Sequence, residues 1–334
     1  MLMHKFAIAL AFALLSATGA TAFAQLRHIH SGAGVSPTQL PFWTAKELGI
    51  FDKYGLSVEL VVISSGPRGM QALLGGSLQS ANMAAMSPIR SVLGGGEVVI
   101  VSGYLNKSLF KLVAQKEIRK AADLRGKKIG LANFGGSTEF GVLMALKELH
   151  VPRESVQLVA AGGSNARFAA VEAKGLDATI LPYAEALVAE KKGFSILADL
   201  AEAVPEFPDR LITVRRAFAD KERPHLKRFL QATGEAIHEI KSERQKEKIL
   251  AVLAKHLRID RKSAEDSYHM YRNAFSYPPR VGRKGLATVL ELIQQETGKA
   301  NATVDANRFV DESVIDELEK EGFFKALDKG TLRK

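Results

Sequence analysis

From residue 26 to residue 216 the chain repeats one pattern: a short apolar or β-branched run, a turn of small residues, then in most cases a span of helix length. The runs are LRHIH (26–30), LSVELVVI (56–63), QSANMA (79–84), VVIVSGY (98–104), FKLVAQ (110–115), KKIGLA (127–132), VQLVAA (156–161), DATIL (177–181), FSILA (194–198) and LITVRR (211–216). Strands alternating with helices predict parallel sheets covered on both faces. After residue 216 the period changes. Leu226, Phe229, Leu230, Thr233, Ile237 and Ile240 recur at helical spacing, and ILAVLAKHL, GLATVLELI and DESVIDELEKEGFF follow, so the last third reads as helical. Pro224 suits a helix start, Pro278 and Pro279 a break, and Gly298 and Gly322 helix ends.

A chain of 334 residues exceeds one ordinary domain of about 100–200 and suits two α/β lobes. The interruption in the strand pattern places one crossing between lobes near residues 115–121 and the other near 213–218. The first lobe is then 25–115 with 216–334, and the second 116–215.

Residues 1–24 read as a secretory signal peptide: Lys5, an apolar run of ten from Phe6 to Leu15, and Ala22-Phe23-Ala24 as a small-x-small cleavage site before Gln25. The run is shorter than the ~20 residues that span a bilayer. A membrane anchor is the alternative reading of the same stretch. Export to the periplasm is the expectation. Cysteine is absent, which excludes disulfides, thiolate metal sites and a cysteine nucleophile.

The net charge of +10 falls to +9 without Lys5. Residues 215–262 hold 14 Lys and Arg against 7 Asp and Glu, a local excess of +7. This excess sits in one helical segment with no interleaved aromatics or nucleic-acid motif. It reads as a solvated basic face, with a protein-docking surface as the alternative, and nucleic acid is not an expected partner.

Ligands of open α/β sheets bind beyond the carboxyl ends of the strands, where loops enter helices. That rule selects SGAGVSPTQLP (31–41), SSGPRG (64–69), AMSPIR (85–90), NFGGST (133–138), AGGSNAR (161–167) and LPYAE (181–185). The first four N–H groups of a helix lack intrahelical partners, and small residues let a ligand approach them. An anion or polar acceptor fits there. Ser, Thr, Asn and Gly also cap helices where nothing binds, so each loop alone has a purely structural reading, which is the stronger one for Ser36 and Ser87 taken singly.

Catalytic signatures are sparse. Gly94-Gly95-Gly96 and Gly135-Gly136 are not followed by Lys-Ser or Lys-Thr, and no GxGxxG opens a helix. His28 and His30 share a strand face without further metal-ligand spacing, so a structural or surface role is expected and no metal. Ser64 and Ser65 stand outside any GxSxG elbow. Arg68, Arg90 and Arg167 fall near helix starts, where each could clamp an acid but is expected at the surface.

The segment PFWTAKELGIFDKYGLSVELVVISSGPRGMQALLGGSLQSANM (41–83) resembles the opening of the nitrate/sulfonate/taurine-type (NMT1/THI5-like) substrate-binding proteins of bacterial ABC transporters. ADLRGKKIGLANFGGSTEFGVLMALKELHV (122–151) resembles that family's entry into its second lobe. VEAKGLDATILPYAEALVAEKKGF (171–194) and VDESVIDELEKEGFF (310–324) are similar to its later elements. Gln79 departs from the family's usual Asp, a position expected to be structural.

The resemblance implies an α/β periplasmic-binding-protein-like fold of type II, two lobes with a ligand cleft between them and a helical C-terminal segment. It implies a monomer that captures a small polar or anionic organic solute (a sulfonate, a carboxylate or an aromatic or heterocyclic compound) and delivers it to an ABC permease of the inner membrane, with no cofactor. The loops that match the family's ligand-contacting ones contain Ser36 and Gln39, Ser65 and Gly66, Met86 and Ser87, Asn133, Gly136, Ser137 and Thr138, Asn165, and Tyr183. Ser137 and Thr138, with the amides of residues 136–138, are the expected grip of the second lobe, opposite Ser65, Gly66 and Ser87. A ligand-sensing adaptor for a membrane receptor is the second reading. An enzyme on the same fold is the third, and the absence of cysteine argues against it.

Overall fold

The computed structural model describes residues 25–32, 34–63, 65–204, 206–296 and 305–332. The expected signal peptide, Ser64 and Gly298 lie outside the described residues. All ten runs form strands: β1 (Leu26–Gly32), β2 (Leu56–Val62), β3 (Ser80–Met83), β4 (Val98–Leu105), β5 (Phe110–Ala114), β6 (Lys128–Leu131), β7 (Gln157–Ala160), β8 (Ala178–Pro182), β9 (Ser195–Asp199) and β10 (Arg210–Arg215). They build two five-stranded sheets, ordered β2-β1-β3-β10-β4 and β7-β6-β8-β5-β9.

The sheets are mixed rather than wholly parallel. β1 runs parallel to β2 and β3, and β6 to β7 and β8. β10 is antiparallel to both β3 and β4, and β5 to both β8 and β9. Each antiparallel strand is the first one formed after the chain changes lobes.

The crossings therefore come earlier than the sequence pattern places them. The chain leaves the first sheet after Leu105 and enters the second at Phe110, then returns between Ala203 and Arg210. FKLVA stands in the second lobe and RLITVR in the first. The linking residues 106–109 read NKSL, with no glycine or proline to punctuate two adjacent apolar strands, so the break is silent in the sequence.

The two crossings are tied together. Phe207 N–H donates to the Asn106 carbonyl (2.9 Å) and Asp209 N–H to that of Leu105 (3.1 Å). Asn106 Nδ2 donates to the Arg280 carbonyl (2.6 Å), and its Oδ1 accepts from Gly282 N–H (2.9 Å). Glu206 accepts from the N–H groups of Lys284 and Gly285 at the start of the helix Arg283–Glu296. These carboxylate and amide contacts satisfy donors that a helix start leaves open.

The helical third packs mainly on the first lobe. In the helix Arg223–Ser242, the six positions of the predicted apolar stripe are all buried. The basic segment is less of a bare cationic face than its composition implies. Lys227 pairs with Glu317 and Glu321, Lys246 with Glu265, and Lys255 with Glu47.

His28 and His30 are buried on β1, not at the surface. His28 stacks on Phe229 with ring centres 4.0 Å apart, and His30 lies 4.0 Å from the Phe42 ring. Among the described residues no cluster of His, Cys, Asp and Glu could hold a metal. Burial drives the pKa of His30 down to about 3 and that of His28 well below its ordinary value, with the neighbouring His30 and His225 lowering His28 further.

Both rings stay neutral in the fold, whereas the unfolded chain protonates them below pH ~6.5. The unfolded state then binds more protons, so stability falls as the pH drops from ~6.5, by up to ~1.4 kcal/mol per pH unit for each ring. His30→Gln removes one such group. In urea unfolding, its cost should be about 2 kcal/mol smaller at pH 5 than at pH 7.

Candidate functional site

Loops from the two sheets face each other across a cavity of about 810 Å³. From the first lobe come Ser36 and Thr38 after β1, Ser65 and Gly66 after β2, and Met83 and Ala84 at the end of β3. From the second come Asn133, Gly136, Ser137 and Thr138 after β6, Gly163, Ser164 and Asn165 after β7, and Tyr183, Ala184 and Glu185 after β8. These are carboxyl ends of parallel strands in both sheets, the place where such sheets leave a crevice.

Nine of the twelve residues selected from the sequence line this cavity: Ser36, Ser65, Gly66, Asn133, Gly136, Ser137, Thr138, Asn165 and Tyr183. Gln39, Met86 and Ser87 do not. Gln39 is buried behind the wall, its amide paired with that of Asn82 (2.8 and 3.2 Å). Met86 is fully enclosed in the core at the start of the helix Met86–Leu93. Ser87 points at the other lobe, its hydroxyl donating to the Gly135 carbonyl (2.6 Å).

Three helices of the second lobe begin at the cavity: Ser137–Glu148, Ser164–Glu172 and Tyr183–Lys191. Their N-cap residues, Gly136, Gly163 and Pro182, offer no side-chain cap. Most described helices of this chain lack one too; what sets these three apart is that they start at the cavity. The first-turn amides and the positive ends of three helix dipoles converge on one space. The facing helix of the first lobe, Gly66–Leu74, is capped by Ser65, which accepts from Arg68 N–H (3.5 Å). Ser36 caps nothing, so its capping role is not realised. Thr138 Oγ1 accepts from Ala132 N–H (2.9 Å) and fixes the loop.

The cationic side chains here are already engaged. Arg167 is buried rather than at the surface. It donates to Thr179 Oγ1 (3.0 Å), the Gly162 carbonyl (2.5 Å) and the Ile180 carbonyl (2.8 Å), and burial lowers its pKa to about 10. Arg210 is buried beside Asp209, whose carboxyl burial pushes upward against the pull of that guanidinium. Arg210 Nε donates to Thr38 Oγ1 (3.3 Å).

Another wall escaped the sequence reading. Leu257, Ile259, Met270 and Tyr271 come from the helical third, with Ser263, Asp266 and Ser267 between them, and Leu105, Leu109 and Phe110 from the crossing, so that side mixes an apolar patch with polar groups. The four helical-third residues sit in a charged, amphipathic stretch whose apolar positions read equally as packing, so no local signal marks them.

At the rim the lobes touch. Beyond the Ser87–Gly135 bond, Arg90 Nη1 lies 3.1 Å from Glu139 Oε2, which also accepts from Gly135 N–H (2.6 Å). Gly135 has φ +79°, and a Cβ there would stand 3.0 Å from Pro67 Cγ. Gly66 has no room either, since its Cβ would meet Ser87 Oγ at 2.5 Å. Glycine is what allows the two loops to close on each other.

A family model described as NMT1/THI5 like matches residues 36–246. A curated binding protein of Brucella abortus (strain 2308) is 25% identical over 228 residues, 66% of this chain and 68% of its own. A solved structure from Bordetella bronchiseptica RB50 superposes with TM-score 0.73 at 19% identity, covering 89% of this chain and 98% of that one. The periplasmic nitrate-binding protein NrtA from Synechocystis PCC 6803 gives 0.71 at 15%, covering 89% of each chain. The periplasmic aliphatic sulphonate binding protein SsuA from Escherichia coli gives 0.66 at 22%, covering 86% and 92%. The fold is thus the two-lobed periplasmic-binding-protein type.

The rim contacts join the two lobes directly. Replacing Arg90 and Ser87 together by Ala should remove about 1–3 kcal/mol of closing free energy. Small-angle scattering of the variant should give a larger radius of gyration than the wild type; an unchanged radius would mean that the rim does not hold the cleft shut.

Proposed function

This chain belongs to the NMT1/THI5-like family, and on that premise we propose that it is the periplasmic solute-binding component of an ABC importer, a monomer that closes on a small organic solute and passes it to an inner-membrane permease. The observation that carries this reading is the cavity of about 810 Å³, gripped from one side by three uncapped helix N-termini and bounded on the other by a wall that joins an apolar patch to Ser263, Asp266 and Ser267. Pockets of this size match organic ligands with many non-hydrogen atoms and exceed what nitrate alone would fill.

The chemistry of the walls favours a two-ended solute. A carboxylate, a sulfonate or a carbonyl-bearing ring supplies acceptors for the amides of the second lobe, and hydrogen bonds to a charged group contribute about 1.5–3 kcal/mol each. An apolar or aromatic body then lies against Tyr271, Met270, Leu257 and Phe110. A few such bonds and this burial support affinity of roughly micromolar order. Binding and release need no covalent step.

Native mass spectrometry of the protein purified from its own host should show a bound organic acid or heterocycle. Ser137→Trp, which fills the space before the helix Ser137–Glu148, should abolish the thermal shift given by that compound while leaving the far-ultraviolet spectrum unchanged. Undiminished binding by this variant would remove the site from the cleft.

A further inference from the structure

A single file of polar groups runs through the apolar interior of the first lobe and ends at the cavity. His225 Nε2 lies 3.2 Å from His28 Nδ1. His28 Nε2 lies 2.6 Å from Ser80 Oγ, which lies 2.7 Å from His30 Nδ1. His30 Nε2 meets Asn82 Nδ2 at 3.0 Å, and Asn82 exchanges two amide bonds with Gln39. Gln39 Nε2 donates to Thr38 Oγ1 (3.3 Å), and Thr38 Oγ1 lies 2.6 Å from Ser36 Oγ in the cavity wall.

Donor and acceptor counting orients every member. Asn82 Nδ2 can only donate, so His30 Nε2 accepts and its proton sits on Nδ1. That proton goes to Ser80, whose own hydroxyl then donates to His28 Nε2. His28 is left with its proton on Nδ1, directed at His225 Nε2. At the other end, Thr38 Oγ1 receives from Gln39 Nε2 and from Arg210 Nε, which occupies both lone pairs. The Thr38 proton is therefore given to Ser36, and Ser36 keeps a free proton for the cavity. The neutrality of both buried histidines, whose pKa values burial lowers, is what such a one-proton-per-link chain requires.

We infer that this file of groups is a polarity relay: His30 and Asn82 are positioning residues that hold the Ser36 proton toward the cavity, so the first lobe offers a solute acceptor a hydrogen-bond donor at that point. The contact with a solute rests on the solute-binding reading above; the relay itself does not. Reversing both amides would turn every link around and make Ser36 an acceptor, so the two orientations are mutually exclusive and the histidine tautomers report which one exists.

The test is long-range ¹H–¹⁵N correlation on the full chain labelled at histidine, at pH 7.5. His28 and His30 should both carry the proton on Nδ1, the minor form in water. Either ring protonated on Nε2 overturns the relay. In Asn82→Asp, the introduced carboxylate accepts from His30, so His30 should move to the Nε2 form and His28, two links away, should follow. A change confined to His30 also overturns it, since a packing role alone would leave His28 unmoved. If the variant does not fold, the wild-type tautomers still decide.

Binding of p-toluenesulfonate and benzylamine separates the two readings. The sulfonate should bind and weaken roughly tenfold in Ser36→Ala, while an amine that binds more tightly and is itself weakened by that substitution overturns the assignment of Ser36. If neither binds even after the protein is unfolded and refolded to strip endogenous solute, the solute-binding reading loses its support while the tautomers still judge the relay.

Discussion

An α-helix that starts directly after a parallel strand leaves its first amides without partners, and a fold must cover them, cap them or present them. This constraint organises the second lobe. Helices that follow β6, β7 and β8 start at Gly136, Gly163 and Pro182, none of which supplies a capping side chain. The donors are left for whatever enters the cavity. In the first lobe the corresponding helix after β2 is capped by Ser65. The two faces are therefore unequal: one offers backbone donors and dipole, the other side-chain hydroxyls, the Asp266 carboxylate and an apolar patch.

Five charged side chains line the same region, Arg167, Glu185, Asp209, Arg210 and Asp266. Two arginines stand in the cavity wall, yet Arg167 spends its donors on Thr179 and two carbonyls, and Arg210 is paired with Asp209. A buried guanidinium with its hydrogen bonds satisfied avoids the large penalty of an isolated charge. It also fixes the loop and the strand that lead into two of the uncapped helix starts, because the carbonyls it holds are those of Gly162 and of Ile180 in β8. Part of the rigidity of the grip thus comes from one side chain.

The strand pattern was the most legible part of the sequence, since alternation between runs such as KKIGLA and helix-length spans survives any tertiary detail. Nine of the twelve residues that the family resemblance implies meet in one cavity, and their loops are ones the rule for carboxyl ends of strands also selects, a rule that is topological and does not depend on side-chain contacts. Errors arose where topology was not announced locally. NKSL between β4 and β5 looks like an ordinary turn although it carries the chain to another lobe. Gln39 and Ser87 lie in the right loops but face the wrong way, a matter of one or two residues of helical phase that no spacing rule resolves. Arg167 looked exposed because arginine at a helix start usually is. The apolar patch from residues 257–271 depends on how the helical third folds back, which is a long-range contact.

The crossing at residues 106–109 is short, at most about 14 Å even when fully extended, and it is bonded to the returning strand through Phe207 and Asp209. The lobes therefore cannot drift apart; they can only swing. Shutting the cleft is then a first-order event, with a rate independent of protein concentration. Opening it again requires Ser87 and Arg90 to leave the opposite rim. Residence time becomes a property of the rim's chemistry as much as of the cargo's fit.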